Sequence, residues 1–305
     1  MMLRIDLLPG LFGATIGDFD ARSAGDAEIR QLFAALLRHR FIVLPDQSLS
    51  NAEYVAFARQ WGRPVRLIAR KNVDSEHPEL IVQSNRQDTP PFLRNVANHW
   101  HCDSSYEEEV ATTTMLYGIE SPDRDGETLF ADLVAAYDVL PPDERARYDK
   151  MRVRHGTSAA TPLPDEQISH PSQLPEAFRQ AIVLLDPVEQ PLVRRHPQNG
   201  RKSLYGLGGS AFAITGLPQE EGARLILALR QHAAEPRFRA AYKLMPGDLL
   251  IWDNLSVMHR ATPIEYSDAP GRRRLNYRIS LKGLPGALEA IPTPTPEVTG
   301  VRGNA

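Results

Sequence analysis

His101 and Asp103 stand two residues apart in the stretch Asn98-His99-Trp100-His101-Cys102-Asp103. On an extended chain, residues i and i+2 point to the same side, so one imidazole and one carboxylate can meet a single metal ion while Cys102 turns away. A lone His-x-Asp triplet arises by chance in many chains and serves surface or hydrogen-bonding roles as readily, so the chemistry needs a distant third ligand. His259 is suited to it. It follows Gly247-Asp248-Leu249-Leu250-Ile251-Trp252-Asp253-Asn254, a turn leading into an apolar strand and then a second turn. Two imidazoles and one carboxylate on one face hold non-haem iron(II) and leave positions open; zinc hydrolysis draws on similar ligands. Trp252 and Asn254 either support the ligands from behind or simply pack.

An iron centre that works with 2-oxoglutarate needs, besides, a fixed cation for the distal carboxylate, ideally the fork of an arginine. Arg274-Leu275-Asn276-Tyr277-Arg278-Ile279-Ser280-Leu281 alternates polar and apolar residues, which places Arg274, Asn276, Arg278 and Ser280 on one face of a strand. The two arginines lie roughly 13 Å apart along such a strand, too far to clamp one carboxylate together but suited to two anionic groups in an elongated pocket. A solvated barrel face is the alternative reading. Arg272 and Arg273 read as solvated. Asn98, His99 and Tyr106 flank the His-x-Asp motif and are candidate substrate contacts, with packed neighbours as the plainer reading.

The elements that must carry these residues are legible in outline. Ile29, Leu32, Phe33, Leu36 and Leu37 recur at three and four residues, which predicts a helix from about Asp26 to His39. Phe41 to Leu44 reads as a buried strand closed by Pro45. Ser50-x-x-Glu53 is a capping box that opens a second helix, with Leu49 and Tyr54 as its hydrophobic staple and Gly62 and Pro64 beyond its end. Further β-like segments fall around Leu80–Gln83 and Thr112–Ile119, and helical stretches around Leu133–Leu140 and Pro142–Met151. Regular structure thins after Met151. A Ser-, Pro-, Thr- and Asp-rich loop at about 158–175 is a candidate lid or a plain surface loop. Pro218–Ala234 reads as a helix, and the chain then alternates turns with short strands to Leu281 in the manner of an antiparallel barrel or jelly roll. No linker, charge run or repeat divides residues 1–305, so one domain is expected.

With 305 residues, 42% of them hydrophobic and 24% charged, the composition is that of an ordinary globular chain. A net charge of -3 offers no basic field for nucleic-acid phosphates or an anionic membrane surface, so a small-molecule partner is the default. Cys102 is the only cysteine, which excludes an intrachain disulfide and is compatible with a reducing cytoplasm. Arg4 and Asp6 interrupt the first apolar stretch, and no apolar run approaches the roughly 20 residues that span a bilayer. A cytoplasmic enzyme is expected, with a homo-oligomer left open because helix faces alone do not identify a subunit interface.

Several motifs recur in a telling order: Trp100-His101-x-Asp103 followed by Ser104 and Ser105; Gly126-Glu127-Thr128; His196-Pro197 through Gly200-Arg201-Lys202-x-Leu204-Tyr205; and Trp252-Asp253-Asn254 with His259-Arg260. The chain resembles, over most of its length, the taurine dioxygenase and chlorophenoxyacetate dioxygenase family of iron/2-oxoglutarate oxygenases. That resemblance implies a mainly β fold with flanking helices around a double-stranded β-helix (jelly-roll, cupin-like) core. It implies Fe(II), 2-oxoglutarate as co-substrate and O2, with His101, Asp103 and His259 as the catalytic iron ligands. Thr128 and Arg274 would bind the distal carboxylate of 2-oxoglutarate, and Arg278 would sit near the metal, facing substrate or co-substrate. Arg70, Lys71 and Asn72, in a region that borders the pocket in the family, would meet an anionic head group or lie in solvent.

The implied reaction is hydroxylation of an unactivated C–H bond in a small anionic organic molecule, with release of succinate and CO2. Desaturation or ring closure could run on the same site, and the rivals from other classes are a metal-dependent hydrolase and a small-acid-binding barrel. Because Asp103 is present, the open position that a halide would need is absent. The link between His259 and Arg274 is longer than the family pattern, with Ser267–Gly271 as the extra turn, which leaves Arg273 as an alternative to Arg274; the alternation favours Arg274. Leu204–Ser210 is small and Gly-rich where the taurine enzyme presents a bulky aromatic, so taurine itself is not the expected substrate.

Overall fold

Phe41, Val43, Leu116, Leu250 and Trp252 from one sheet close onto Phe130 and Val257 from another, and this apolar interior is the centre of the fold. The computed structural model describes residues 2–65, 74–89, 97–156, 163 and 186–289. Its larger sheet has eight strands in the path β1 (Arg4–Leu7), β2 (Ala14–Gly17), β3 (Phe41–Leu44), β14 (Leu249–Asp253), β6 (Thr113–Glu120), β16 (Leu275–Lys282) and β4 (Arg63–Pro64), with β5 (Ile81–Ser84) also pairing with β16. Only β2 and β3 run parallel; the other pairings in that sheet are antiparallel. The smaller facing sheet is β13 (Arg239–Tyr242), β7 (Thr128–Asp132) and β15 (Val257–Ala261). Beyond β1, β2 and β3, neighbouring strands are far apart in sequence, as in a jelly roll, and the two sheets are not closed into a barrel.

The larger sheet is covered on its outer face by α1 (Asp26–His39) and α2 (Asn51–Arg59). Ile29, Leu32, Phe33 and Leu36 of α1 join Tyr54 and Phe57 of α2 and Trp61 against Ile42, Leu44, Met115, Tyr117, Leu249, Ile251 and Ile279. Because β3 and β14 are thus buried on both faces, they read as unbroken apolar runs rather than as alternating ones. The capping box forms: Ser50 N–H donates to Glu53 Oε2 (2.8 Å) and Glu53 N–H donates to Ser50 Oγ (3.3 Å). Behind the smaller sheet, Ala131 and Met258 pack on α3 (Leu133–Asp138) and on Ile226, Leu229 and Ala233 of the helix Gln219–Ala233.

The helix expected from about Asp26 to His39 and the strand Phe41–Leu44 occur with those bounds, and the remaining expected elements shift by a few residues. The helical stretch from Pro142 is α4 (Pro142–Tyr148). Where the pattern thins after Met151, the chain still forms β8 (Arg152–His155), β9 (Val188–Pro191) and β12 (Ala211–Ile214) in one sheet and β10 (Arg194–Arg195) with β11 (Lys202–Ser203) in another. These strands are four residues or shorter, below the length at which alternation stands out. Arg70, Lys71, Asn72 and, apart from Leu163, the loop at about 158–175 lie outside the described residues. No described helix is long and apolar enough to cross a membrane.

Candidate metal and co-substrate site

His101 lies in an extended stretch beside β15, and it exchanges both backbone hydrogen bonds with His259: His101 N–H to His259 O at 3.0 Å and the reverse at 2.9 Å. Such directly opposed residues send their side chains to the same side of the pair, and the two imidazole centroids are 4.3 Å apart. Asp103 follows at i+2, so its carboxylate returns to that side. Asp103 Oδ1 is 3.6 Å from Nε2 of both histidines, and one ligand atom from each of the three residues falls within 4.8 Å of the others. Cys102 turns the other way into the apolar cluster behind, with Sγ 3.5 Å from Val257 O.

His101 Nδ1 sits 2.8 Å from the carbonyl oxygen of His99. A carbonyl only accepts, so Nδ1 carries the proton and Nε2 presents its lone pair toward Asp103. Burial first, and the neighbouring His259 second, push His101 down to about 3; burial pushes His259 down to about 4. Both rings are therefore neutral near pH 7, the form that ligates. Burial by itself would raise the Asp103 carboxyl, but the Arg278 guanidinium, with Nη2 2.5 Å from Oδ1, the two imidazoles and the Thr114 hydroxyl hold it well below the usual carboxylate range. Two neutral imidazoles and one ionised carboxylate are a donor set that fits a divalent first-row metal.

A buried relay holds the carboxylate. Thr114 Oγ1 donates to Asp103 Oδ2 (2.6 Å) and accepts from Asn254 Nδ2 (2.8 Å), while Asn254 Oδ1 accepts from Trp252 Nε1 (3.0 Å). Ser280 Oγ is 3.0 Å from Thr114 Oγ1 and accepts from Arg278 Nη2 at 3.0 Å. The sheet register explains the meeting, because Thr114 lies opposite Trp252 of β14 on one side and Ser280 of β16 on the other. Trp252 and Asn254, which the sequence left between support and packing, are supports here. Thr114 was not legible, since a threonine in an apolar strand carries no mark of its partner.

Arg273 pairs with Glu120 at 3.2 Å near the surface. Arg274 is half-buried like Arg273, but desolvation pulls its guanidinium below the usual arginine range and no carboxylate pairs with it among the described residues. A guanidinium so placed can take up an anion, the role that the resemblance implies for it toward the distal carboxylate of 2-oxoglutarate. Asn85, fully buried and unmarked in the sequence, positions Arg274. Its Oδ1 accepts from Arg274 N–H (2.6 Å) and its Nδ2 donates to the carbonyls of Glu265 and Arg272 (both 2.8 Å). Thr128 opens β7 opposite Ala261, two residues past His259, and makes no side-chain hydrogen bond with Arg274.

Asn98 is buried, and the His99 ring lies 5.1 Å from that of His101. Tyr106 is half-buried, and burial followed by Glu107 pushes its hydroxyl up to about 12. The Gly-rich stretch has a structural reason: Gly209 N–H donates to Trp100 O (3.0 Å), and a Cβ at Gly209 would stand 2.2 Å from His99 Cδ2. Glycine lets this segment close directly on the backbone that carries His101 and Asp103.

The family model described as Taurine catabolism dioxygenase TauD, TfdA family matches residues 4–279. The alpha-ketoglutarate-dependent 2,4-dichlorophenoxyacetate dioxygenase of Cupriavidus pinatubonensis (strain JMP 134) is 33% identical over 285 residues, covering 89% of this chain and 95% of that protein. The (S)-phenoxypropionate/alpha-ketoglutarate-dioxygenase of Sphingobium herbicidovorans is 32% identical over 287 residues, covering 93% and 96%. The crystal structure of a taurine dioxygenase from Burkholderia xenovorans superposes with a TM-score of 0.73 at 28% identity, covering 93% of this chain and 90% of that one. With a match along nearly its whole length, the chain belongs to the TauD/TfdA family of 2-oxoglutarate-dependent dioxygenases.

Proposed function

We propose that this single-domain dioxygenase binds Fe(II) through His101 Nε2, Asp103 Oδ1 and His259 Nε2 and hydroxylates an unactivated C–H bond of a small anionic organic molecule, converting 2-oxoglutarate to succinate and CO2. The observation that carries the reading is the two-histidine, one-carboxylate group together with Arg274, a half-buried cation at the start of β16 that pairs with no carboxylate among the described residues. A metal hydrolase would leave Arg274 without a task. Iron together with 2-oxoglutarate and O2 supplies the oxidising power for the C–H bond. The chain's own work is positional. Thr114 fixes the carboxylate so that Oδ1 stays with the metal; Arg274, with Thr128, receives the distal carboxylate; Arg278 adds positive charge between the ligands and the pocket.

Asn98, His99, Tyr106 and Lys71 are assigned to the substrate side, with Arg278, whose Nη2 is 2.5 Å from Asp103 Oδ1, as a cation for an anionic head group. The phenoxyacetate and phenoxypropionate named for two relatives are carboxylates, which supports an anionic substrate. Anaerobic titration with Fe(II) and 2-oxoglutarate tests the proposal through the weak visible charge-transfer band of a chelated 2-oxo acid. The band is expected in the wild type, lost in His101→Ala and weakened in Arg274→Ala. Its absence from folded, iron-loaded wild-type protein would refute the oxygenase reading.

A further inference from the structure

The two carboxylate oxygens of Asp103 have different neighbours. Oδ2 accepts the Thr114 hydroxyl at 2.6 Å and is committed to the buried relay. Oδ1 faces the histidines, 3.6 Å from Nε2 of each, so it is the oxygen that an ion held by all three residues would share. It is also the oxygen that Arg278 holds, with Nη2 at 2.5 Å. Among the described residues Arg278 pairs with no other carboxylate, and the same Nη2 donates to the neutral Ser280 hydroxyl at 3.0 Å.

A guanidinium and a divalent cation are drawn to such an oxygen for the same reason, and they carry charge of the same sign. Two positive groups on one oxygen repel each other, and each uses electron density that the other would draw on. Arg278 is the member of the group that can yield. His101 and His259 are set opposite each other by backbone hydrogen bonds, and Asp103 is 3% exposed and fixed by Thr114, whereas the Arg278 side chain reaches in from β16 and is 21% exposed. We propose that Arg278 is a built-in competitor of the metal: its guanidinium and a divalent cation contend for Asp103 Oδ1, and the arginine holds metal affinity below what two histidines and a carboxylate would give by themselves. The inference rests on the function proposed above, in taking the ion to sit on His101, Asp103 and His259. It gives Arg278 a task toward the metal that is separate from any toward an anionic substrate, and it fixes the sign of that task. Removing this charged neighbour of a ligand should tighten the site rather than weaken it.

Titration with Mn(II) alone, followed by loss of the free ion's paramagnetic resonance signal, tests this. It is run at about pH 8 so that the carboxylate is ionised with or without its arginine, and circular dichroism melts serve as the folding control. Arg278→Met is expected to bind Mn(II) about ten- to a hundredfold more tightly than the wild type; should that variant fail to fold, Arg278→Gln carries the same comparison. Arg278→Lys, which keeps a charge near the group, should fall between the two. In an Asp103→Ala background the change of Arg278 to methionine should alter affinity by less than about threefold, because the contested oxygen is gone. Equal or weaker binding by the neutral variants, a lysine variant as tight as the methionine one, or the same gain without Asp103 would overturn the inference and leave the metal site standing. No Mn(II) uptake by folded wild type or variants would overturn the metal site itself and the inference with it.

Discussion

Replacing Asn85 by alanine isolates the device that presents Arg274. The substitution removes three side-chain hydrogen bonds, to Arg274 N–H at 2.6 Å and to the carbonyls of Glu265 and Arg272 at 2.8 Å each, from a fully buried position. At about 1 kcal/mol net per bond the variant should lose about 3 kcal/mol of stability. The loop from Glu265 to Arg274 would then be held less firmly, and the cost should appear where Arg274 acts. We expect KM for 2-oxoglutarate to rise by about ten- to a hundredfold, while kcat at saturation changes by less than about threefold. Asn85→Asp is almost the same shape and keeps an acceptor for Arg274 N–H, but it turns an anionic oxygen toward two carbonyls, so it should be no milder than alanine. Succinate release measured against 2-oxoglutarate concentration, alongside thermal unfolding, reads both effects. An unchanged KM in a variant of lowered melting temperature would show that Asn85 only supports the fold.

Three further substitutions probe the surroundings. Thr114→Val keeps the shape of the side chain but withdraws the proton held by Asp103 Oδ2; Fe(II) affinity, read by anaerobic chelator competition, should fall about ten- to a hundredfold, and a change under about threefold would count against the relay. Gly209→Ala should cut activity and stability together because its Cβ would fall 2.2 Å from the His99 ring. The double variant with His99→Ala should regain the stability but not the activity, as judged by thermal melts and turnover. His155 is fully buried and pushed down to about 4 by burial and then by Arg194. The folded state therefore keeps it neutral while the unfolded chain takes up a proton near pH 6.5. Its contribution is present above pH 6.5 and is lost as pH falls toward 4, up to about 3 kcal/mol. Urea midpoints at pH 7 and 5 should converge more closely in His155→Gln than in the wild type.

The parts of this fold that sequence reveals are those whose cause is local. α1 shows its buried face through Ile29, Leu32, Phe33 and Leu36, and β3 is bounded by Pro45, so both were legible to the residue. The alternation from Arg274 to Ser280 reported correctly that Arg278 and Ser280 share a face, and Ser280 lies beside Thr114 there. What stayed hidden depends on pairing over distance. Asn85 gains its meaning from a residue 189 positions away. Sequence likewise gives no reason why β3 should lie between β2 and β14, or why Arg273 rather than Arg274 finds Glu120. The latter follows only from the register of β16 on β6, in which Leu275 lies opposite Glu120 and Asn276 opposite Gly118, passing over Ile119 of β6.

The paired backbones of His101 and His259 separate two tasks that many metal sites combine. In a small zinc domain the ion must gather distant ligands, so the energy of binding is spent on ordering the chain and removing the metal unfolds it. Here sheet hydrogen bonds hold the two imidazoles opposite each other, and the entropy of bringing remote stretches together has been met by the polypeptide. An ion bound there would be an exchangeable reagent seated in a finished socket. Chelation should leave the fold standing, and Mn(II), Co(II) or Ni(II) should enter in place of iron with affinities ordered by their own ligand chemistry.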